Sequence, residues 1–531
     1  MRSLLKHTWT IFFSRYATMT PIQKKAIPVI LEKKNALLIS PTASGKTEAV
    51  IVPLIERLIN ENWVGLSIIY ISPTKALVND LSFRLKELCK ELNIDVAIKT
   101  GDSPSFNAAK ISGILITTPE SFDSILCRYK ASLFNLKALI LDEIHLVDNT
   151  YRGDQLRILI KRAEETATSK LNIYILSATV ANPTELGKRY GRDMEVIEVP
   201  GRRTINHTFL RSLEELKSYT IKENLSKLLI FCNKRASVEL YANACKKLWG
   251  EHQVVVHHGS LSARVRNEAE NFMKENYFGI CVSTMTLEIG IDIGNIDAVV
   301  LAEVPWSISA MLQRIGRSNR RSDIIRVFAM YSSDREKEML ELMMQTAKMG
   351  LLDEYEYTYD HAVLVQQIFS LLYAYPQGIN DHFLIQFLSD FCEEAVIVTI
   401  LEYLENLGWI QKRNNVWFAA TILMNLGAIG KIHSNIPDTK AHKVINVTTN
   451  TVVGEVTSQV DNIFILAGKI WKIVHKADNK IFVRPVKRQY FKAEFITNRM
   501  KSQFYYLLPP CYQDEDCDFN DYNKGKLNFD K

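Results

Sequence analysis

Residues 37–50 read LLISPTASGKTEAV. A short apolar run leads into a loop holding Pro41, Ser44 and Gly45, and Lys46-Thr47 then opens the amphipathic stretch EAVIVPLIERLI. Strand, glycine-bearing loop and helix are the setting in which backbone amides at a helix N-terminus hold phosphate oxygens. The pattern G-x-x-x-x-G-K-[ST] is met except at its first glycine, where Ser40 stands. In this reading the loop from Thr42 through Ser44 and Gly45 cradles the charge of ATP. Lys46 reaches the β- and γ-phosphates, and the Thr47 hydroxyl ligates Mg²⁺. The plain alternative is an ordinary strand-to-helix turn, so the rest of the chain has to decide.

The same rhythm of apolar run and amphipathic stretch repeats along the chain. ALLIS, LSIIYIS, VAIKTG, GILITT, ALILDE and NIYILSAT alternate with amphipathic stretches such as LVNDLSFRLKELCKEL up to about residue 200. That alternation predicts an α/β domain, a parallel sheet with helices on both faces, over 1–200. The rhythm restarts after EVPGRRT with KLLIFC, QVVVHHG, FGICVST, DAVVLAEV and IIRVFAMY, predicting a second α/β domain over 201–348. HAVLVQQIFSLLYA, DHFLIQFLSDF and EEAVIVTILEYLENLG then read as three helices, and WIQKRNNVWFAA as two short strands around Asn414-Asn415. Three helices and a hairpin predict a winged helix over 349–430. Residues 431–510 alternate and turn often, predicting a small β-barrel or sandwich, and 511–531 read as a polar tail.

Composition sets the class. The chain has 531 residues, 47% hydrophobic and 23% charged, with a formal net charge of +6. This is a globular multidomain protein whose mild basic excess fits a polyanionic partner. Eight cysteines without a C-x-x-C pair predict a reduced, cytoplasmic protein with no structural zinc. MRSLLKHTWTIFFSRY is too interrupted for a signal segment, and no run reaches membrane-spanning length, so secretion and membrane insertion are not expected.

Three further stretches carry chemistry. LILDEIH places Asp142 and Glu143 at the carboxyl end of an apolar strand, where ligands gather in open α/β sheets. Asp142 would hold Mg²⁺ and Glu143 would orient or deprotonate the attacking water. Ser177-Ala178-Thr179 closes another strand, and its hydroxyls could couple the metal carboxylate to movement between domains. QRIGRSNRR puts Gln313, Arg317 and Arg320 on a basic helix of the second domain, where Arg317 and Arg320 could neutralise the γ-phosphate as arginine fingers. A solvated basic helix is the competing reading.

Taken in this order, the four stretches resemble those of superfamily 2 helicases. The resemblance implies two RecA-like domains and an ATP-hydrolysing enzyme. It also implies that Gln23 of MTPIQKKAIP reads adenine, and that Gly290 and Asp292 lie near the nucleotide cleft. ISPTKALVND, TGD and TTPESF are similar to that superfamily's strand-contact motifs, so Pro73, Thr74, Lys75, Gly101, Asp102, Thr118, Pro119 and Glu120 become candidates for nucleic-acid contact. HHGSLS and STMTLEIGIDIG add His258, Gly259, Ser260 and Thr284. HHGSLS, LEIGIDIG, GKIHSNIPD and ILAGKIWKI look more specifically like the large helicase-related, or Lhr-type, family.

That family implies a 3′-to-5′ translocase on single-stranded DNA that unwinds DNA duplexes or RNA–DNA hybrids, in DNA repair or genome defence. Ser40, Ala43, Thr74 and Asn319 depart from its pattern without removing a charge or ligand. The long carboxyl-terminal extension of its largest members has no counterpart here, so functions of that extension are not expected. An RNA helicase or ATP-driven nucleoprotein remodeller, and a weakly active nucleic-acid-binding scaffold, are the alternative readings. A monomer is expected, with no protein partner legible. Trp306, Trp409, Trp417 and Trp471 are candidates to stack on bases, against a plain core role. RPVKRQYFK, with Arg484, Lys487, Arg488 and Lys492, is suited to backbone contact or to a solvated edge.

Overall fold

The computed structural model describes residues 1–513 other than 15, 17, 42–43, 102–112, 202–203, 289–292, 319–323, 353–356, 437–440, 458–462, 478–479 and 487–501. The first α/β unit contains strands β1 (Asn35–Ile39), β2 (Leu66–Ile71), β3 (Asp95–Lys99), β4 (Gly113–Thr117), β5 (Ala138–Leu141), β6 (Asn172–Ser177) and β7 (Met194–Glu198). They form one parallel sheet in the order β3-β4-β2-β5-β6-β1-β7. β1, β2, β4, β5 and β6 are buried along their whole length, which is why they read as continuous apolar runs. The order makes β5, β6 and β1 neighbours, so the three stretches that end in Asp142, Ser177 and Ser40 finish side by side.

The amino terminus belongs to this unit. Leu5, Phe12 and Phe13 are buried in its core. The buried Glu56 carboxylate accepts from His7 N (3.1 Å), Thr8 N (3.0 Å) and Thr8 Oγ1 (2.9 Å).

The second α/β unit holds β8 (Thr204–Leu210), β9 (Lys227–Phe231), β10 (Val254–His257), β11 (Gly279–Ser283), β12 (Ala298–Leu301) and β13 (Ile324–Met330). All neighbours are parallel in the order β10-β11-β9-β12-β13-β8. Both sheets and their helices match the RecA-like expectation.

The winged helix is present as helices Ala362–Ala374, Asp381–Leu388 and Glu394–Asn406 with an antiparallel sheet of β14 (Ile379–Asn380), β15 (Ile410–Arg413) and β16 (Val416–Ala419). Asn414 and Asn415 both take positive φ (47° and 60°), the conformation a two-residue hairpin turn needs. Helix Ala362–Ala374 packs on helices Pro119–Arg128 and Tyr151–Thr166 of the first unit, and Ile158 of that unit joins the winged-helix core.

The β-rich unit is a five-stranded mixed sheet of β17 (Ala441–Asn446), β18 (Thr451–Thr457), β19 (Ile463–Leu466), β20 (Lys469–Ala477) and β21 (Lys480–Pro485), ordered β18-β17-β21-β20-β19. Its apolar face, including Val444, Val453, Leu466, Trp471 and Ile481, merges with the core of the second α/β unit. Gly454 lies so close to Ser260 that a Cβ there would meet the Ser260 carbonyl oxygen at 2.3 Å.

The division at residue 431 shifts in consequence. Ile432, Phe504, Tyr505, Leu507 and Leu508 are buried with the winged helix, and Asn435 accepts Phe504 N at 3.0 Å through Oδ1. Among the described residues, no helix is long and apolar enough to cross a membrane.

Candidate nucleotide site and strand-binding face

Helix Lys46–Asn60 starts at Gly45, whose φ of +85° is left-handed and whose absent side chain leaves room for Gln23. A Cβ there would stand 2.4 Å from Gln23 Nε2. Gln23 is held twice: it closes a capping box with Thr20 at the start of helix Pro21–Leu31, and its Nε2 donates to Gly45 O at 3.3 Å. Lys46 Nζ donates to Ser40 O (2.6 Å) and Pro41 O (3.0 Å), so its ammonium lies under the loop. Ser40 Oγ pairs with Ser44 Oγ at 2.6 Å, and Ser40 N donates to Ser177 O at 3.2 Å. Ser40 therefore does local work as the last residue before the loop, where a glycine would make no such side-chain bond.

Asp142 and Glu143 follow β5. Burial and the neighbouring Glu143 charge raise the Asp142 carboxyl to about 7, with Tyr70 and Lys46 opposing. Glu143 adopts φ +44°, uncommon for a residue with a side chain and the kind of strain found at functional positions. Its amide donates to Asp142 Oδ1 at 2.9 Å, and its buried Oε2 makes no hydrogen bond among the described residues, lying 3.5 Å from His145 Nδ1. Two crowded carboxylates, one with an oxygen that makes no hydrogen bond among the described residues, next to the Thr47 end of the loop make a hard-oxygen donor set that fits a divalent cation. Burial pushes the Lys46 ammonium down, Glu143 and Asp142 oppose this, and Arg317 adds to it.

From here a chain of contacts leads to the second unit. His145 Nδ1 lies 3.1 Å from Ser177 Oγ, Ser177 Oγ donates to Thr179 O at 2.9 Å, and Thr179 Oγ1 lies 3.0 Å from Ser309 Oγ. Ser309 sits in the first turn of helix Ile308–Ile315, which carries Gln313 and Arg314 and precedes Arg317. Gln313 is buried on that helix. Arg317 is buried, donates to Glu288 O, and acts on both Lys46 and His145 as a nearby positive charge. Arg314 is spoken for: it bonds Glu288 Oε1 (2.6 Å) and Asn233 Oδ1 (2.8 Å). Thr42, Gly290, Asp292 and Arg320 lie outside the described residues, as do Asp102, Asn319, Lys487, Arg488 and Lys492.

The candidate strand contacts divide. Thr74 and Thr118 are N-caps, accepting from Leu77 N (3.3 Å) and Ser121 N (3.4 Å), and Pro119 is the buried first residue of its helix. Each holds a helix whose amino end faces the same side of the sheet. Lys75 reaches over Gly101, with Nζ 3.5 Å from where a Gly101 Cβ would be. Arg152, which sequence reading passed over, fastens this face by donating to Glu120 Oε1 (2.7 Å) and Pro73 O (2.7 Å).

In the second unit Gly259 is exposed and Arg235, also passed over, donates to Ser260 Oγ at 2.6 Å. Thr284 is buried, with its amide on His257 O at 3.2 Å. His258 is corrected from a strand-facing residue to a core one. It is fully buried, with Nε2 3.0 Å from Glu239 Oε1, and that same carboxylate accepts Ala467 N (2.6 Å) and Gly468 N (2.5 Å) of the β-rich unit. Trp409, Trp417 and Trp471 are likewise core residues: Trp409 stacks on Phe369, and the Trp417 and Trp471 indoles donate to Asp381 Oδ1 and Leu466 O.

Asp123, Cys127 and His433 also converge within ligand distance of one another. Arg162 already supplies the positive charge there, with Nη1 2.8 Å from Asp123 Oδ1 and Nη2 3.5 Å from Cys127 Sγ. The group is an ion-paired joint between the first unit and the winged helix.

Comparison with known proteins agrees with this fold. A DEAD/DEAH box helicase family model matches residues 20–186, and a helicase conserved C-terminal domain model matches residues 211–322. The chain is 32% identical to the ATP-dependent helicase Lhr-Core of Methanocaldococcus jannaschii, over 90% of this chain and 62% of that protein. It is 28% identical to Lhr-Core protein 2 of Thermococcus barophilus, over 89% of this chain and 63% of that one. The chain thus spans less than two thirds of the length of these relatives. Its fold is similar to DNA-bound MrfA (TM-score 0.74, 21% identity, 92% of this chain, 70% of that one). It is also similar to Mycobacterium smegmatis Lhr bound to single-stranded DNA and AMP-PNP (TM-score 0.71, 23% identity, 81% of this chain, 62% of that one). With the phosphate loop, the paired carboxylates and the bridging Thr179 on two RecA-like sheets, the chain carries the paired DEAD/DEAH box and C-terminal domains of superfamily 2 helicases and is similar in sequence to the Lhr-Core helicases.

Proposed function

We propose that this chain is an ATP-driven motor that tracks single-stranded DNA in the 3′-to-5′ direction and unwinds DNA duplexes or RNA–DNA hybrids. The contact that carries the reading is Thr179 to Ser309, because it joins the strand end beside the nucleotide loop to the helix leading to Arg317. Lys46, Thr47 and Asp142 would hold Mg²⁺-ATP, the metal drawing charge from the transferred phosphoryl group. Gln23, which fixes the loop at Gly45, would read the adenine edge. Glu143, whose buried Oε2 makes no hydrogen bond among the described residues, orients the attacking water.

Arg317 and Arg320 answer the phosphate charge from the second unit, so nucleotide turnover alters how the two sheets approach each other. The strand then lies across loops of both units: Pro73 to Lys75, Gly101 to Asp102 and Thr118 to Glu120 on one, Gly259 to Ser260 and Thr284 on the other. Backbone-directed contacts of this sort accept any base sequence.

ATP hydrolysis measured with and without single-stranded oligonucleotide tests the motor. Strand-stimulated hydrolysis is expected, falling at least about 100-fold in Lys46→Ala and Glu143→Gln. Unchanged hydrolysis in both variants would exclude this site as the engine.

A further inference from the structure

We propose that Trp306 is a stacking platform for one base of the tracked strand, an inference that rests on the strand-tracking reading. Trp306 is 70% exposed, whereas Trp409, Trp417 and Trp471 are all buried with partners. An indole left in water forgoes a large apolar burial, and here it does so on a firmly built loop. The loop runs from the carboxyl end of β12 to helix Ile308–Ile315, the end of a parallel sheet where ligands collect.

The flanking residues fix its position. Pro305 precedes it, and Ser307 caps the next helix by accepting Ala310 N at 3.0 Å. Glu303 accepts Asn233 N at 2.6 Å and Ser237 Oγ, and Asn233 Nδ2 donates to Val304 O at 2.8 Å. Those bonds tie the Trp306 loop to the loop that opens helix Arg235–Trp249 with exposed Lys234 and Arg235.

Arg235 reaches Ser260 Oγ beside exposed Gly259, and no carboxylate among the described residues pairs with it. An exposed aromatic face on a loop that is hydrogen-bonded to a second loop carrying exposed Lys234 and Arg235 is the chemistry of single-strand binding: cations for phosphates, a ring for a base. One turn away from Trp306, Ser309 touches Thr179, so the platform moves with the element that reports the nucleotide state.

Tryptophan fluorescence of the full chain, titrated with a thymidine 20-mer and with the same oligomer made abasic, tests the assignment. The 20-mer should quench wild-type fluorescence, and Trp306→Phe should lose most of that quench while binding within about threefold of wild type. Trp306→Ala should bind the 20-mer about tenfold more weakly, close to wild-type affinity for the abasic oligomer. Thermal unfolding of both variants should match wild type, since the side chain is exposed.

Equal affinity and quench in Trp306→Ala would overturn the platform while leaving strand tracking in place. A quench produced by Mg²⁺-AMP-PNP alone would reassign the ring to adenine and overturn it as well. A wild-type chain that binds no single strand would remove both readings.

Discussion

Asp142 is held at about 7 by burial and by Glu143, and this ties its proposed role as a metal ligand to stability. An aspartate whose folded value lies above its unfolded value binds more protons when folded. It therefore lowers stability as pH rises from about 4 to about 7, and the loss persists above that. Asp142→Asn removes this repulsion. In denaturant unfolding at pH 8 without Mg²⁺ the variant should be more stable than wild type by about 1–4 kcal/mol, with the gap closing toward pH 4. Added Mg²⁺ should raise the wild-type melting temperature and leave the variant's unchanged; a variant less stable than wild type at pH 8 would refute the crowding argument.

The placement of this cluster was legible because β1, β5 and β6 read as apolar runs, and the polar residues that close them, Ser40, Asp142 and Ser177, follow at once in the sequence. His258 was not, since a histidine at a strand end reads alike for surface and core until Glu239, 19 positions away, is brought beneath it. Arg152 and Arg235 were missed because a single arginine on an amphipathic helix carries no spacing signal. Only the fold shows them meeting Glu120, Pro73 and Ser260.

At the scale of elements, the winged helix is joined to the first RecA-like unit through a buried polar seam. Arg162 Nη1 bonds Asp123 Oδ1, Gln367 Oε1 and Ser370 Oγ at 2.8, 3.0 and 2.8 Å, and Gln366 Nε2 donates to Asp123 Oδ2 at 2.9 Å. Removing one member of a buried pair strands the other, so Arg162→Met should cost about 3–5 kcal/mol in denaturant unfolding. A loss under about 1 kcal/mol would show that the seam is not fully desolvated.

His433 adds a pH term. Burial lowers it, but Asp123 and Cys127 outweigh burial and raise it to about 9. The stabilisation it gives is complete below about pH 6.5 and is lost as pH climbs through about 9. The stability difference between wild type and His433→Gln should shrink between about pH 6 and about pH 9.5, and a constant difference would contradict this. The hairpin at Asn414-Asn415 could be read in advance from turn chemistry. The seam could not, because Asp123, Arg162, Gln366 and His433 come from four separate stretches whose polarity looks solvated in sequence.

Across the whole molecule, each accessory unit is fastened to a different RecA-like unit. The winged helix shares a core with the first, and the β-rich sheet shares a core with the second and is pinned there by Glu239 and by Glu455 N on Ser260 O at 2.6 Å. Movement of the two sheets relative to each other therefore carries the winged helix and the β-rich sheet with them, a coupling that composition and periodicity could not disclose. Thr179→Val removes the hydroxyl that meets Ser309, so unwinding should fall more steeply than strand-stimulated ATP hydrolysis; equal falls would place the coupling elsewhere.

The central claim, an ATP-driven motor of fixed polarity, is tested most directly by unwinding of 3′-tailed and 5′-tailed duplexes with DNA or RNA as the displaced strand. Strand release is predicted from the 3′-tailed substrates, only with Mg²⁺-ATP, and not in Glu143→Gln. Release from 5′-tailed substrates alone, or release that does not need ATP, would contradict it.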